Sequence, residues 1–307
     1  MPNFKEGKSM TIFKGGGVAI VTPMNQDFTV NYDKFDELIE FHIANQTDAL
    51  VVCGTTGEAS TLVIEEHLEC IRFVVERVKG RIPVIAGTGS NSTATAIDTS
   101  KGAQERGADA ALVVTPYYNK ATQKGLIAHF TAIANSVKLP QMLYNVPART
   151  SIAMEPETIA YLVKNVDNIV ALKEATGDVG GTAKTMYLCD GKLDLYSGND
   201  DVIVPLLSIG GVGVVSVLGN IAPKFVHDMV YNYLEGNVEL AGQMQLDCMP
   251  LNEALFKEVN PIPVKEALNI MGKEVGPPRS PLTVIEPHNK ERLIQAMRDF
   301  KHSDFKK

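Results

Sequence analysis

Eight short apolar runs, each followed by a polar turn and then, in most cases, by a stretch of helical period, recur along this 307-residue chain at spacings of about 25 to 35 residues. The runs fall at 15–23, 49–53, 83–87, 110–116, 141–146, 169–172, 193–197 and 211–217. Near-continuous Val, Ile, Leu and Ala in runs this short is what a strand buried on both faces requires, as in parallel sheets. Between the first two, Phe35, Leu38, Ile39 and Ile43 repeat with the spacing of one helix face. Pro156 suits the first turn of a helix after the fifth run. Eight such alternations predict an α/β chain folded as a (β/α)8 TIM barrel. A doubly wound open sheet is the competitor. It is weakened because no GxGxxG or P-loop opens any of the helices, and the Gly87-Thr-Gly89-Ser-Asn91 turn lacks the third glycine.

Beyond Gly236 the strands stop. Residues 238–259, 263–271 and 290–301 carry helical patterning, broken at Pro250, Pro261 and the Gly276-Pro-Pro278 turn. The expected organisation is an N-terminal extension over 1–12, a catalytic barrel over 13–236 and a C-terminal helical appendage over 237–307. The appendage should pack outside the barrel or between subunits.

Composition removes several classes of function. A net charge of -7 with no basic run argues against nucleic acid as a partner. No apolar stretch reaches the roughly 18 residues that a membrane span needs. The polar start, Met1-Pro-Asn-Phe-Lys-Glu-Gly-Lys-Ser, has no hydrophobic signal core, and Met10 offers a second start, so a cytoplasmic protein is expected. Cys53, Cys70, Cys189 and Cys248 form no CxxC pair, and the histidines show no HExxH spacing. No metal and no cofactor are expected.

A barrel of this type builds its active site at the C-terminal ends of its strands, so the residues closing each run matter most. The sixth run ends on Lys173, where a charge is costly unless paired or neutralised. Burial would pull its pKa down and make it a nucleophile able to form a Schiff base; the plain alternative is a strand-end lysine that snorkels to solvent. After the second run comes Gly54-Thr-Thr-Gly-Glu58, a turn whose backbone N–H groups and hydroxyls suit a carboxylate. The fourth run leads to Tyr117-Tyr118-Asn119, the fifth to Tyr144-Asn145 with Arg149 beyond, and the seventh to Ser197-Gly198-Asn199-Asp200. Taken singly, Thr55 and Thr56 could be turn residues, Tyr117 and Tyr118 interface aromatics, Tyr144 a core tyrosine, and Arg149 a surface ion pair. Their gathering at one barrel end favours a common chemistry. A lysine amine attacks a 2-keto acid, the threonine turn holds its carboxylate, tyrosine hydroxyls move protons, and Arg149 grips a second carboxylate with its planar fork.

Gly54-Thr-Thr-Gly-Glu58, Tyr144-Asn-Val-Pro-Ala-Arg-Thr150 and Val170-Ala-Leu-Lys-Glu-Ala-Thr-Gly177 resemble the signatures of the dihydrodipicolinate synthase family, one of the pyruvate-dependent class I aldolases. The likeness runs from about Phe13 through Asn260-Pro-Ile-Pro-Val-Lys265. It implies condensation of pyruvate with L-aspartate 4-semialdehyde in the diaminopimelate and lysine pathway. It further implies Lys173 as the Schiff-base lysine, Tyr144 as its proton shuttle, and Thr55 as the relay between Tyr144 and a Tyr118 reaching in from a neighbouring subunit. Thr56 is implied as the pyruvate-carboxylate ligand and Arg149 as the semialdehyde-carboxylate ligand. Gly198 and Val215 match positions lining the pyruvate pocket, and a homotetramer built as a dimer of dimers is the family's usual assembly.

The resemblance also implies an inhibitory lysine site at Ala59, Ser60, Ile64, His67, Asn91, Thr95 and Tyr117. Here Ile64 stands where a histidine is usual, and Thr95 where a glutamate is usual. Losing that charge partner removes about 1.5–3 kcal/mol of binding, so weak or absent lysine inhibition is expected. The alternatives within the aldolases are N-acetylneuraminate lyase and 2-keto-3-deoxygluconate aldolase, which share the barrel and lysine but normally lack a counterpart of Arg149. A non-catalytic keto-acid-binding barrel is the alternative from another class.

Overall fold

A computed structural model describes residues 11–302. Residues 1–10, which include most of the expected extension and the alternative start at Met10, lie outside the described residues, as do 303–307. The strands are β1 (Gly15–Ala19), β2 (Ala49–Val52), β3 (Val84–Gly87), β4 (Ala110–Val114), β5 (Gln141–Asn145), β6 (Ile169–Glu174), β7 (Asp194–Ser197) and β8 (Gly213–Ser216). They pair in chain order, all parallel, and β8 closes on β1 with Gly17 opposite Val215. The fold is a (β/α)8 TIM barrel.

Helices α1 (Tyr32–Ala44), α2 (Ile64–Val78), α3 (Thr93–Glu105) and α4 (Gln123–Ser136) follow the first four strands. Next come α5 (Pro147–Thr150), α6 (Pro156–Asn165), α7 (Val179–Cys189), α8 (Ile203–Ser208) and α9 (Pro223–Leu234). Side-chain caps fix several starts: Asn31 accepts from the backbone of Lys34, Thr122 from Gly125 and Asp178 from Gly181. The one-turn α5, which the sequence pattern did not foretell, begins on Pro147 and carries Arg149.

The alternation of a strand sorts its side chains into two cores. Leu50 and Val52 join the layer between sheet and helices, while Ala49 and Val51 point into the barrel. Phe13 and Tyr196 fill that interior as a stacked pair with ring centroids 4.4 Å apart, and the Tyr196 hydroxyl donates to the Phe13 carbonyl at 2.6 Å. Gly17 leaves the room they need, since a Cβ there would lie 2.6 Å from the Phe13 ring. On β5 and β6 the same alternation turns Leu143 and Leu172 outward, and so turns Tyr144 and Lys173 inward at the strand ends.

After α9 the chain is helical: α10 (Val238–Asp247), α11 (Met249–Leu255), α12 (Ile262–Ile270) and α13 (Pro287–Asp299). Pro250 opens α11 instead of merely ending α10, because a proline in the first turn loses no intrahelical hydrogen bond. Pro287 likewise starts α13 three residues before the point that apolar spacing suggests. Leu251, Leu255, Leu268, Leu293 and Met297 join the same core as the barrel helices. A buried ion pair, Lys265 Nζ to Glu58 Oε1 at 2.7 Å, ties α12 to the loop after β2. Among the described residues, no helix is long and apolar enough to cross a membrane.

Candidate active site

Lys173 does not snorkel: it is 5% exposed. It is paired in register with Tyr144 on β5 and Tyr196 on β7, and its Nζ sits 4.3 Å from the centroid of the Tyr144 ring. Burial pulls its pKa down to about 7. The nearby Asp200 carboxylate resists that shift, and Arg149 adds to it. Burial thus makes the unprotonated amine, the state a nucleophile needs, accessible near neutrality.

Tyr144 is buried, which raises its pKa and keeps the phenol protonated. Arg149 and a hydrogen bond to Thr55 pull the other way. Gly198 lies beside the lysine stem, where a Cβ would come within 2.8 Å of the Ala175 Cβ and 3.1 Å of Lys173 Cγ. Val215 faces the barrel interior from β8. Thr56 is buried, and its hydroxyl accepts a hydrogen bond from Asn260 Nδ2 at 3.0 Å. Arg149 Nη2 donates to the Asn260 carbonyl at 3.3 Å. The loop carrying Arg149 is pinned by Thr150, whose hydroxyl donates to the Ile152 carbonyl at 2.8 Å and accepts from Thr115 at 3.1 Å.

Two residues here escaped the sequence reading. Asp200 is 2% exposed, and its carboxylate accepts from Ser216 Oγ at 2.5 Å and from the Val217 and Leu218 N–H groups, each at 2.9 Å. Burial still raises its pKa, because desolvation outweighs those bonds. Its only sequence signal is the polar cluster that closes the seventh run. Asn260, far along the chain, gave none beyond its place in a shared motif.

A cavity of about 460 Å³ is lined in part by Thr55, Tyr144 and Arg149. Ala59, Ser60, Ile64, His67, Thr95 and Tyr117 also line it, so most of the expected effector residues gather in one place. His67 is held there by a 2.7 Å contact of Nε2 with the Gly87 carbonyl, and burial lowers its pKa. Asn91 is not in that lining; its carbonyl accepts from Asn119 Nδ2 at 2.8 Å. Tyr118 stands apart as well, 89% exposed, with a positive φ of 74° that turns the chain back at the loop tip. Among the described residues, no group of three or more His, Cys, Asp or Glu is placed to hold a metal ion.

The dihydrodipicolinate synthetase family matches residues 12–299. The chain is 60% identical over 289 residues to the 4-hydroxy-tetrahydrodipicolinate synthase of Lachnoclostridium phytofermentans, covering 94% of this chain and 98% of that protein. Identity to the enzyme of the same name from a Thermoanaerobacter species is 56% over 284 residues, covering 92% and 95% of the two chains. The chloride-inhibited dihydrodipicolinate synthase of Acinetobacter baumannii, solved in complex with pyruvate, superposes with a TM-score of 0.93 at 43% identity. That match covers 95% of this chain and all of the other, 100%.

Proposed function

The chain belongs to the dihydrodipicolinate synthetase family, and we propose that its reaction runs on Lys173. The reaction is that of a 4-hydroxy-tetrahydrodipicolinate synthase, the Schiff-base condensation of pyruvate with L-aspartate 4-semialdehyde on the route to diaminopimelate and lysine. The observation that carries the assignment is a buried lysine amine packed 4.3 Å from the ring centre of a buried tyrosine.

The free amine of Lys173 attacks C2 of pyruvate to give a carbinolamine. Tyr144, kept protonated by burial, donates the proton with which the C2 hydroxyl leaves as water. The resulting iminium loses a proton from C3, and the enamine attacks the semialdehyde aldehyde carbon, whose oxygen takes up a proton to become a hydroxyl as the iminium re-forms at C2. The semialdehyde's own amine then closes on C2 and expels Lys173. Thr56 binds the pyruvate carboxylate, and Arg149 the semialdehyde carboxylate. Thr55 relays protons between Tyr144 and bulk water, with Tyr118 contributed by a neighbouring subunit. Gly198 and Val215 shape the pocket around the three-carbon acid.

Around this centre we read residues 13–236 as the catalytic barrel and 237–307 as the helical unit. We also read the protein as a cytoplasmic homotetramer made of two dimers. In the effector cavity, the aliphatic Ile64 and uncharged Thr95 leave a lysine ligand without the charge partner it needs, so the enzyme runs without strong lysine feedback.

Borohydride reduction in the presence of pyruvate should leave a pyruvate-derived mass on Lys173, and the untreated protein should consume the semialdehyde. An adduct on another lysine, or none, would overturn the assignment.

A further inference from the structure

Asn260, at the head of α12, touches both residues assigned to substrate carboxylates. Its side-chain N–H donates to Thr56 Oγ1 at 3.0 Å, and its backbone carbonyl accepts from Arg149 Nη2 at 3.3 Å. The side chain is 5% exposed, and its Oδ1 has no hydrogen-bond partner.

A threonine hydroxyl has one proton and two lone pairs, whereas a carboxylate can only accept. To bind a carboxylate, Thr56 must therefore spend its proton on the ligand. The Asn260 amide occupies a lone pair of that hydroxyl and leaves the proton uncommitted. The reverse amide orientation would take the proton for Oδ1 and leave the carboxylate facing only lone pairs. The contact is held from two sides. Two residues beyond Thr56, Glu58 pairs with Lys265 of α12 at 2.7 Å, both side chains 1% exposed. The second Glu58 oxygen accepts from the Arg279 backbone N–H at 2.7 Å. Loop and helix head are thus locked together across the Asn260 contact.

We propose that Asn260 is a positioning residue for keto-acid recognition: its amide sets the Thr56 hydroxyl as a hydrogen-bond donor to the substrate carboxylate. The inference rests on the reading of Thr56 as the pyruvate-carboxylate ligand. It places a determinant of pyruvate affinity in the turn that leads into α12, outside the barrel.

Steady-state kinetics on both substrates tests it with Asn260→Ala, Asn260→Asp, Thr56→Val and the Asn260→Ala/Thr56→Val pair. Asn260→Ala should raise the pyruvate KM about three- to tenfold, the worth of one hydrogen bond. It should leave the semialdehyde KM nearly unchanged, because the Arg149 contact is to a backbone carbonyl that alanine keeps. Asn260→Asp has the same shape but only acceptors on that arm, so it should raise the pyruvate KM further than alanine does. In the Thr56→Val background, removing Asn260 should add nothing. Equal effects of Ala and Asp, a rise in both KM values, or effects that multiply in the double variant would overturn the inference while Thr56 keeps its assignment. An unchanged pyruvate KM in Thr56→Val alone would instead remove the Thr56 reading, and the inference with it.

Discussion

Lys173 Nζ lies 4.3 Å from the centre of the ring of its ladder partner Tyr144. A ring face attracts an ammonium, so this contact alone would hold the lysine charged. Burial opposes it and prevails, bringing the pKa to about 7. The rate of borohydride trapping with pyruvate should therefore rise with pH through a midpoint near 7. A midpoint near the ordinary lysine value would mean the amine is solvated. The sign for stability follows from linkage: the unfolded chain binds more protons than the folded one between about pH 7 and the ordinary lysine value of 10.5. The cost of burying this amine is thus complete below pH 7 and fades as pH rises toward 10.5. Lys173→Met should abolish trapping and, at pH 7, unfold at a higher temperature than the parent.

What the chain disclosed in advance follows the range of the interactions involved. The barrel was legible because each strand announces itself within a few residues, and Lys173 because a lysine interrupts such a run. Asn260 and Thr56 meet across 204 positions of sequence, and no local period records where α12 will dock. Asp200 was passed over for a related reason. A carboxylate satisfied by the Ser216 hydroxyl and two backbone N–H groups from the next strand's end looks, in sequence, like any polar turn residue.

The Glu58 and Lys265 pair is a second product of that docking. Both charges are out of water, so removing one partner strands the other, at a cost of about 3–5 kcal/mol. Lys265 keeps two carbonyl acceptors, Thr22 at 3.1 Å and Pro277 at 2.8 Å, but no counter-charge once Glu58 is lost. Glu58→Gln should lower the melting temperature clearly and raise the pyruvate KM, as the Thr56 loop loosens from α12. Calorimetry and kinetics on one preparation check both; a variant as stable as the parent would show the pair to be dispensable.

Thr95 and Ile64 line the cavity in which an effector would sit. With no carboxylate at position 95 and no imidazole at position 64, sub-millimolar lysine should leave the steady-state rate unchanged. Thr95→Glu restores a charge without disturbing the cap of α3, since Ser92 Oγ accepts from the Thr95 backbone N–H at 3.3 Å and not from its side chain. A single charge-assisted contact is worth about 1.5–3 kcal/mol, roughly ten- to a hundredfold in affinity. Titration calorimetry of Thr95→Glu, and of its combination with Ile64→His, should show that gain; potent inhibition of the unaltered enzyme would refute the reading.

Tyr118 is the one proposed catalytic group that its own chain leaves in solvent, 89% exposed at a loop tip. If it completes a neighbour's relay, two defective subunits should rescue each other. Lys173→Ala and Tyr118→Phe each lose most activity alone, the first for want of a nucleophile and the second by about a hundredfold for a proton-transfer group. In a mixed dimer, the subunit keeping Lys173 receives an intact Tyr118 from its partner. One of its two sites is then whole. Co-expressed subunits carrying different tags, purified through both, should recover activity well above either parent. A tyrosine acting within its own subunit predicts none, because every site would then lack either the amine or the hydroxyl.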